Sequence, residues 1–226
     1  MALTAEFDVI VVGAGHAGIE ACLAASGLGA KTLQITTRLD RIGYMSCNPA
    51  IGGLAKGHMV REIDALGGEM ALATDASCIQ FKRLNSNRGP AVRGSRAQCD
   101  KDLYSSHMIQ RLERQENLTL KEGEVAALEL EGSKCVGVRL KDGSVIRSKT
   151  VVITTGTFMN GVMHIGGKQI SGGRVGDAAT VGLSDQLREF GFIVQRLKTG
   201  TPPRLKKDSI DWSKTEPQYG DKKFFP

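Results

Sequence analysis

Aromatic side chains are scarce in this sequence: Phe, Tyr and Trp together make up 5% of it. A platform of stacked rings for single-stranded nucleic acid is therefore not expected. Long apolar runs are missing as well. Runs such as Val9 to Val12 and Val151 to Ile153 are the size of strands, far below the ~20 residues of a membrane span. The first residues, Met1 to Glu6, lack the basic start and apolar core of a secretory signal and the Arg-rich pattern of a transit peptide. The five cysteines, Cys22, Cys47, Cys78, Cys99 and Cys135, are odd in number and form no Cys-x-x-Cys pair. A disulfide framework or a structural zinc site is not expected, and the reducing cytoplasm is the default compartment. His58, His107 and His164 show no metal-ligand spacing, so no metal site is expected either, and no Ser/His/Asp order or paired-carboxylate pattern stands out.

Proline is also rare, 6 residues against 28 glycines. Glycine in excess without proline is not linker chemistry; it signals tight turns and close backbone approaches. With 41% hydrophobic and 24% charged residues the chain has an ordinary globular composition. Its 226 residues suffice for one sizeable core or somewhat more. The net charge of +6 permits an anionic partner.

The order of elements predicts an α/β fold. Phe7 to Val12 is a short β-branched run suited to a strand buried on both faces. An Ala-rich helix then runs to Leu28 and stops at Gly29, and Lys31 to Ile35 is a second strand. Residues 36 to 57 form a loop rich in Gly, Asn and Pro. Lys56 to Leu66 is predicted helical, Ile79 to Leu84 alternates as a strand, and a helix is expected from about Arg96 to Arg114 with the stripe Ala97, Tyr104, Met108, Leu112. Leu118 to Lys121, Val125 to Leu130, Cys135 to Leu140 and Ser144 to Arg147 are expected as short strands, with a hairpin turn at Asp142-Gly143. Val151 to Thr154 is a further buried strand, and Thr180 to Glu189 a helix. The tail from Lys206 is polar and has no core of its own.

Gly13-Ala14-Gly15-His16-Ala17-Gly18 lies between the first strand and the first helix. In that context Gly-x-Gly-x-x-Gly is a dinucleotide fingerprint. Gly13 makes the turn, Gly15 admits the pyrophosphate, Gly18 lets helix and strand pack, and the helix N-terminus faces the phosphates. One part of the fingerprint is missing. The second strand runs into Ile35-Thr36-Thr37-Arg38 with no acid before Asp40, so ribose recognition is either looser or supplied by Thr36, Arg38 or segments elsewhere. The antiparallel insert followed by Val151 to Gly156 resembles flavoproteins with two dinucleotide domains. That resemblance favours FAD over NAD and puts the backbone of Val125 beside the adenine.

Cys47 lies in a Gly-rich loop after the second strand. Position 52 is Gly, so the dithiol of flavin disulfide reductases is absent. A single thiolate supported by Lys56, His58 or Arg61 is a candidate nucleophile. Cys22 and Cys135 fall on apparent core faces. Basic residues concentrate from Lys82 to Arg111, including Arg88, Arg93 and Arg96, and again from Arg196 to Lys207. Such clusters suit a phosphate backbone.

These stretches together resemble the N-terminal portion of the tRNA uridine 5-carboxymethylaminomethyl modification enzyme family, MnmG or GidA. The resemblance rests on Asp8 to Ala21, Gly43 to Gly53, Asp64 to Gly68, Gly89 to Arg93, Arg96-Ala97-Gln98, Gly156-Thr157-Phe158, Ser171 to Arg174, and Arg196 to Arg204. It implies a Rossmann-like FAD-binding domain of glutathione-reductase type with a small antiparallel β insert. Residues 1–205 would be that domain, incomplete and discontinuous, and 206–226 the truncated start of the next segment. It further implies FAD at Gly13 to Gly18, Val125 and Thr180, where family members carry Ser, with Cys47 as a functional cysteine. NADH and methylene-tetrahydrofolate would be co-substrates and tRNA the substrate. A homodimer would assemble with a GTPase partner into a heterotetramer. Competing readings are a general FAD/NAD(P)H oxidoreductase and a folate- and FAD-dependent tRNA uracil C5-methyltransferase. A non-catalytic FAD- or RNA-binding module is the reading from outside the enzymes.

Overall fold

The computed structural model describes residues 6–45, 48–203 and 205–222. In chain order its strands and helices are β1 (Phe7–Val12), α1 (His16–Gly27), β2 (Thr32–Thr36), β3 (Ala50–Gly52), α2 (Lys56–Ala65), α3 (Met70–Ser77), β4 (Cys78–Leu84), β5 (Gly94–Cys99), α4 (Lys101–Glu113), β6 (Leu118–Glu122), β7 (Val125–Glu131), β8 (Lys134–Leu140), β9 (Val145–Ile153), β10 (Val162–Ile165), β11 (Lys168–Ser171) and α5 (Leu183–Glu189). The chain divides into two units, the first made of residues 1–43 and 108–196 and the second of 44–107 and 197–226.

The first unit is built on a six-stranded sheet in the order β6-β2-β1-β9-β8-β7. β6, β2, β1 and β9 run parallel, the arrangement of a Rossmann-like half. β9 joins the two halves of the sheet. It pairs parallel with β1 from Phe7↔Ser148 to Val12↔Ile153, and antiparallel with β8 at Arg139↔Val145 to Gly137↔Arg147. Two strands expected separately, Ser144 to Arg147 and Val151 to Thr154, are therefore one. No turn residue separates them, and each half has its own partner to satisfy its backbone groups. Phe7, Ile10, Val12, Leu33, Ile35, Val125, Val138, Leu140 and Ile146 form one buried cluster, so the insert strands share the core of the parallel sheet. Val11 and Ile10 are both fully buried on opposite sides of β1. This is why the run carries no polar alternation.

The second unit contains a three-stranded antiparallel sheet, β3-β5-β4, with α2 and α3 against it. Here the expected helix start at Arg96 is corrected. Arg96 to Cys99 belong to β5: Arg96 to Gln98 are in register with Gly52 to Ala50 of β3, and Arg96 to Cys99 with Lys82 to Cys78 of β4. The helix begins only at Lys101, because the carboxylate of Asp100 accepts from the N–H groups of Asp102 and Leu103 at 2.9 and 3.0 Å and caps it. Tyr104, Met108 and Leu112 are buried along α4 as the stripe requires; Ala97 is buried too, but from the strand. α3 and the β10–β11 hairpin had no expectation attached to them, whereas β3 corrects one: Ala50 to Gly52 fall within the loop expected over residues 36 to 57 but pair with β5. α5 starts at Leu183 rather than Thr180, after Gly182. Residues 218–221 lie along β4: Asp221 donates its N–H to the Phe81 carbonyl and accepts from the Arg83 N–H, both at 2.8 Å.

Candidate functional site

The Gly13 turn leaves the C-terminal end of β1 in the first unit. Gly13 has φ +108, and a Cβ there would lie 2.5 Å from the Thr154 carbonyl oxygen. A Cβ on Gly18 would lie 2.2 Å from the Gly13 oxygen, whereas one on Gly15 would meet nothing within 4 Å. The first and third glycines are thus demanded by packing, whereas the space in front of the middle one is open. Gly15 and Ala17 are exposed, Ala14 and Gly18 buried, and Gly13 and His16 half-buried.

Three anchors fix the turn. Gly13 donates to the Ile35 carbonyl at 2.8 Å, Gly43 donates to the Ala14 carbonyl at 2.9 Å, and the Gln34 side-chain amide donates to the Gly13 carbonyl at 3.2 Å. Gln34 is fully buried. No side chain caps α1, and no acid stands in its first turn. The positive end of the helix is left for an anion from outside. An open Gly15 face, an uncapped helix and a rigid turn together fit a dinucleotide pyrophosphate.

Val125 opens β7, and its side chain is in the core, 3% exposed; a ligand would meet its backbone only. Beside it lies a cavity of about 400 Å³ bordered by Glu122, Gly123, Leu140 and Lys141 among others. Thr180 is held on the segment after β9, donating its N–H to the Phe158 carbonyl at 2.9 Å and accepting from the Asn160 N–H at 2.8 Å. Arg38, raised as a ribose contact, is already engaged. Its guanidinium bonds both oxygens of Asp40 at 2.9 and 2.6 Å and reaches Asp177 at 3.4 Å. Asp177 also pairs with Arg174, whose guanidinium lies over the Phe158 ring. Two carboxylates around Arg38 already offset its charge. Neither Asp177 nor Gln34 was visible in the sequence, because their partners are distant in it.

In the second unit, Cys47 lies outside the described residues, as do Ser46 and Arg204. Its neighbours are well fixed: Cys99 donates its N–H to the Pro49 carbonyl at 2.7 Å, and Asn48 accepts from the Gln98 amide at 3.4 Å. Of the proposed helpers, Arg61 bonds Ser95 at 3.1 Å, and burial pushes the Lys56 ammonium below the ordinary lysine range. Cys22 is fully buried, and burial pushes its thiol up to about 12. Cys135 is half-buried rather than a core residue. Arg88 and Arg93 are exposed at the 3-10 turn Pro90–Val92, where Arg93 donates to the Arg88 carbonyl at 2.8 Å. Arg96 stands directly opposite Lys82 across β5 and β4. Among the described residues none of Lys82, Arg88, Arg93 and Arg96 makes an ion pair. Like charges facing each other across strands are unfavourable. No three His, Cys, Asp or Glu are placed to hold a metal, and no helix is long and apolar enough to cross a membrane, among the described residues.

Comparison with known proteins adds independent findings. The sequence profile of the family described as "Glucose inhibited division protein A" matches residues 8–226. The chain is 66% identical over 221 residues to the tRNA uridine 5-carboxymethylaminomethyl modification enzyme MnmG of Bdellovibrio bacteriovorus, covering 98% of this chain and 34% of that one. It is 60% identical to the enzyme of that name from Pelobacter propionicus, with 96% and 34% covered. The chain spans about a third of the length of these curated relatives. Among solved structures, form II of Aquifex aeolicus GidA superposes with a TM-score of 0.89 at 55% identity, over 96% of this chain and 36% of that one. The GidA-related protein of Thermus thermophilus shares the fold, with a TM-score of 0.63 at 23% identity over 85% and 72%.

Proposed function

The chain belongs to the glucose inhibited division protein A family, and on that footing we propose that it forms the FAD-binding portion of an enzyme modifying C5 of the wobble uridine of tRNA. The observation that carries this reading is the 66% identity, along nearly the whole chain, to a relative named for tRNA uridine 5-carboxymethylaminomethyl modification. The Gly13 turn supports the cofactor: Gly15 leaves space for a pyrophosphate and α1 offers its uncapped N-terminus, with Val125 and Thr180 as the further FAD contacts of this reading. FAD, when bound, supplies the redox chemistry of the reaction. The reaction would take NADH and methylene-tetrahydrofolate as co-substrates, in the cytoplasm, as a homodimer joined by a GTPase partner.

The chain's own residues supply two further functions in this reading. Uracil C5 becomes nucleophilic once a group adds at C6, and Cys47 is the thiol available for that addition. Arg88, Arg93 and Arg96, which make no ion pair among the described residues, bind the phosphate backbone in this reading. The test is deletion of the gene followed by mass spectrometry of tRNA nucleosides. Loss of the C5 modification is expected; unchanged wobble uridines overturn the function. A purified intact protein that is colourless and takes up no added FAD overturns the cofactor.

A further inference from the structure

The fingerprint's acid, which normally ends the second strand and holds the ribose hydroxyls, is absent from β2, which runs from Ile35 and Thr36 into Thr37 and Arg38. The nearest acids at this end of the sheet are committed elsewhere. Asp40 is bonded through both oxygens to Arg38, Asp177 pairs with Arg38 and Arg174, and Glu124 pairs with Lys141 at 2.9 Å.

Glu122 is different. β6 runs parallel to β2 with Thr36 opposite Glu122, and the next residue, Gly123, donates to the Thr36 carbonyl at 2.8 Å. The Glu122 carboxylate reaches back over the end of β2, where Oε2 accepts the Leu39 N–H at 3.1 Å. The same end of β2 carries the Gly13 turn, through the bond from Gly13 to Ile35. The side chain is exposed, and Oε1 has no hydrogen-bond partner among the described residues. Glu122 also borders the cavity next to Leu140, the strand partner of Val125, which leaves room for a base beside the carboxylate.

We propose that Glu122 supplies, from the neighbouring strand, the carboxylate that holds the adenosine ribose of the dinucleotide. This rests on the FAD reading given above. One oxygen is fixed by the Leu39 N–H, so the other is preoriented to accept a ribose hydroxyl, and a charged acceptor makes that bond a strong one.

The test uses the intact protein freed of flavin and titrated by fluorescence with FAD and with FAD lacking the 2′- or the 3′-hydroxyl of its adenosine ribose. The wild type should bind at least one deoxy analogue about tenfold more weakly than FAD, or worse, as expected for a bond to a charged group. Glu122→Ala should weaken FAD by a similar factor and bind FAD and that analogue alike. Glu122→Gln, which keeps an acceptor for Leu39, should lose most of the discrimination while melting like the wild type; it carries the test if the alanine variant does not fold. Discrimination retained in these variants, or absent in the wild type, overturns the role of Glu122 and leaves FAD binding standing. A wild type that binds neither FAD nor its analogues overturns the parent reading, and this role with it.

Discussion

Thr154 gives two hydrogen bonds to a single oxygen: its backbone N–H and its hydroxyl both meet the Val12 carbonyl, each at 2.8 Å. They tie the end of β9 to the end of β1 where the chain enters the Gly13 turn. The same Thr154 leaves no space for a side chain on Gly13. The shape of the turn is thus imposed by a residue 142 positions away in sequence, brought there by the pairing Val12↔Ile153.

Replacing Thr154 by Val keeps the volume and removes only the hydroxyl bond. The Val12 oxygen still accepts the backbone N–H, so the expected cost is about 1 kcal/mol. A urea titration reads this as a lower midpoint at constant slope. An unchanged midpoint contradicts it.

Gly15→Ala and Gly18→Ala should separate binding from folding. At Gly18 the new methyl would overlap the Gly13 oxygen, with 2.2 Å between them. The variant should lose about 2 kcal/mol or more, as for overpacking against backbone. At Gly15 nothing opposes the methyl. That variant should melt normally without ligand yet retain less FAD, seen as a lower ratio of flavin to protein absorbance.

Cys22 should resist alkylation in the native protein at pH 8, since its thiol is raised by burial from the ordinary 9.0 to about 12 and only the thiolate reacts. Between those two values the folded state keeps a proton that the unfolded state loses. Stability from this group is therefore complete below about pH 9 and declines as pH rises through the window. Peptide mapping after iodoacetamide treatment of native and denatured protein checks the first part. A shallower alkaline decline in Cys22→Ala checks the second.

Asp177→Ala should cost about 2 kcal/mol, less than a fully buried pair because Arg38 is partly open to solvent. It removes a carboxylate that is 8% exposed and shared by Arg38 and Arg174. Arg38→Ala should cost less, since Arg174 still holds Asp177. Thermal melting of the two variants gives the order; the reverse order contradicts it.

The phosphate turn was legible because its determinants are local: a β-branched run, three glycines at fixed spacing and an Ala-rich helix follow one another. The end of β5 was misassigned to a helix because Ala97, Tyr104, Met108 and Leu112 mimic one helical stripe across two elements. The decisive signal was Asp100, whose side chain caps α4 and marks where the strand stops.

The sequence by itself determined the α/β class, the dinucleotide turn at Gly13 to Gly18 and the family resemblance, since each is written in contiguous residues. Only the tertiary structure decided that β9 serves both sheet halves, that Arg38 is neutralised by Asp40 and Asp177, and that a carboxylate stands over the end of β2 from Glu122. Strand register and charge pairing join residues far apart in the chain, and hydrogen bonding between strands, not local propensity, selects those partners.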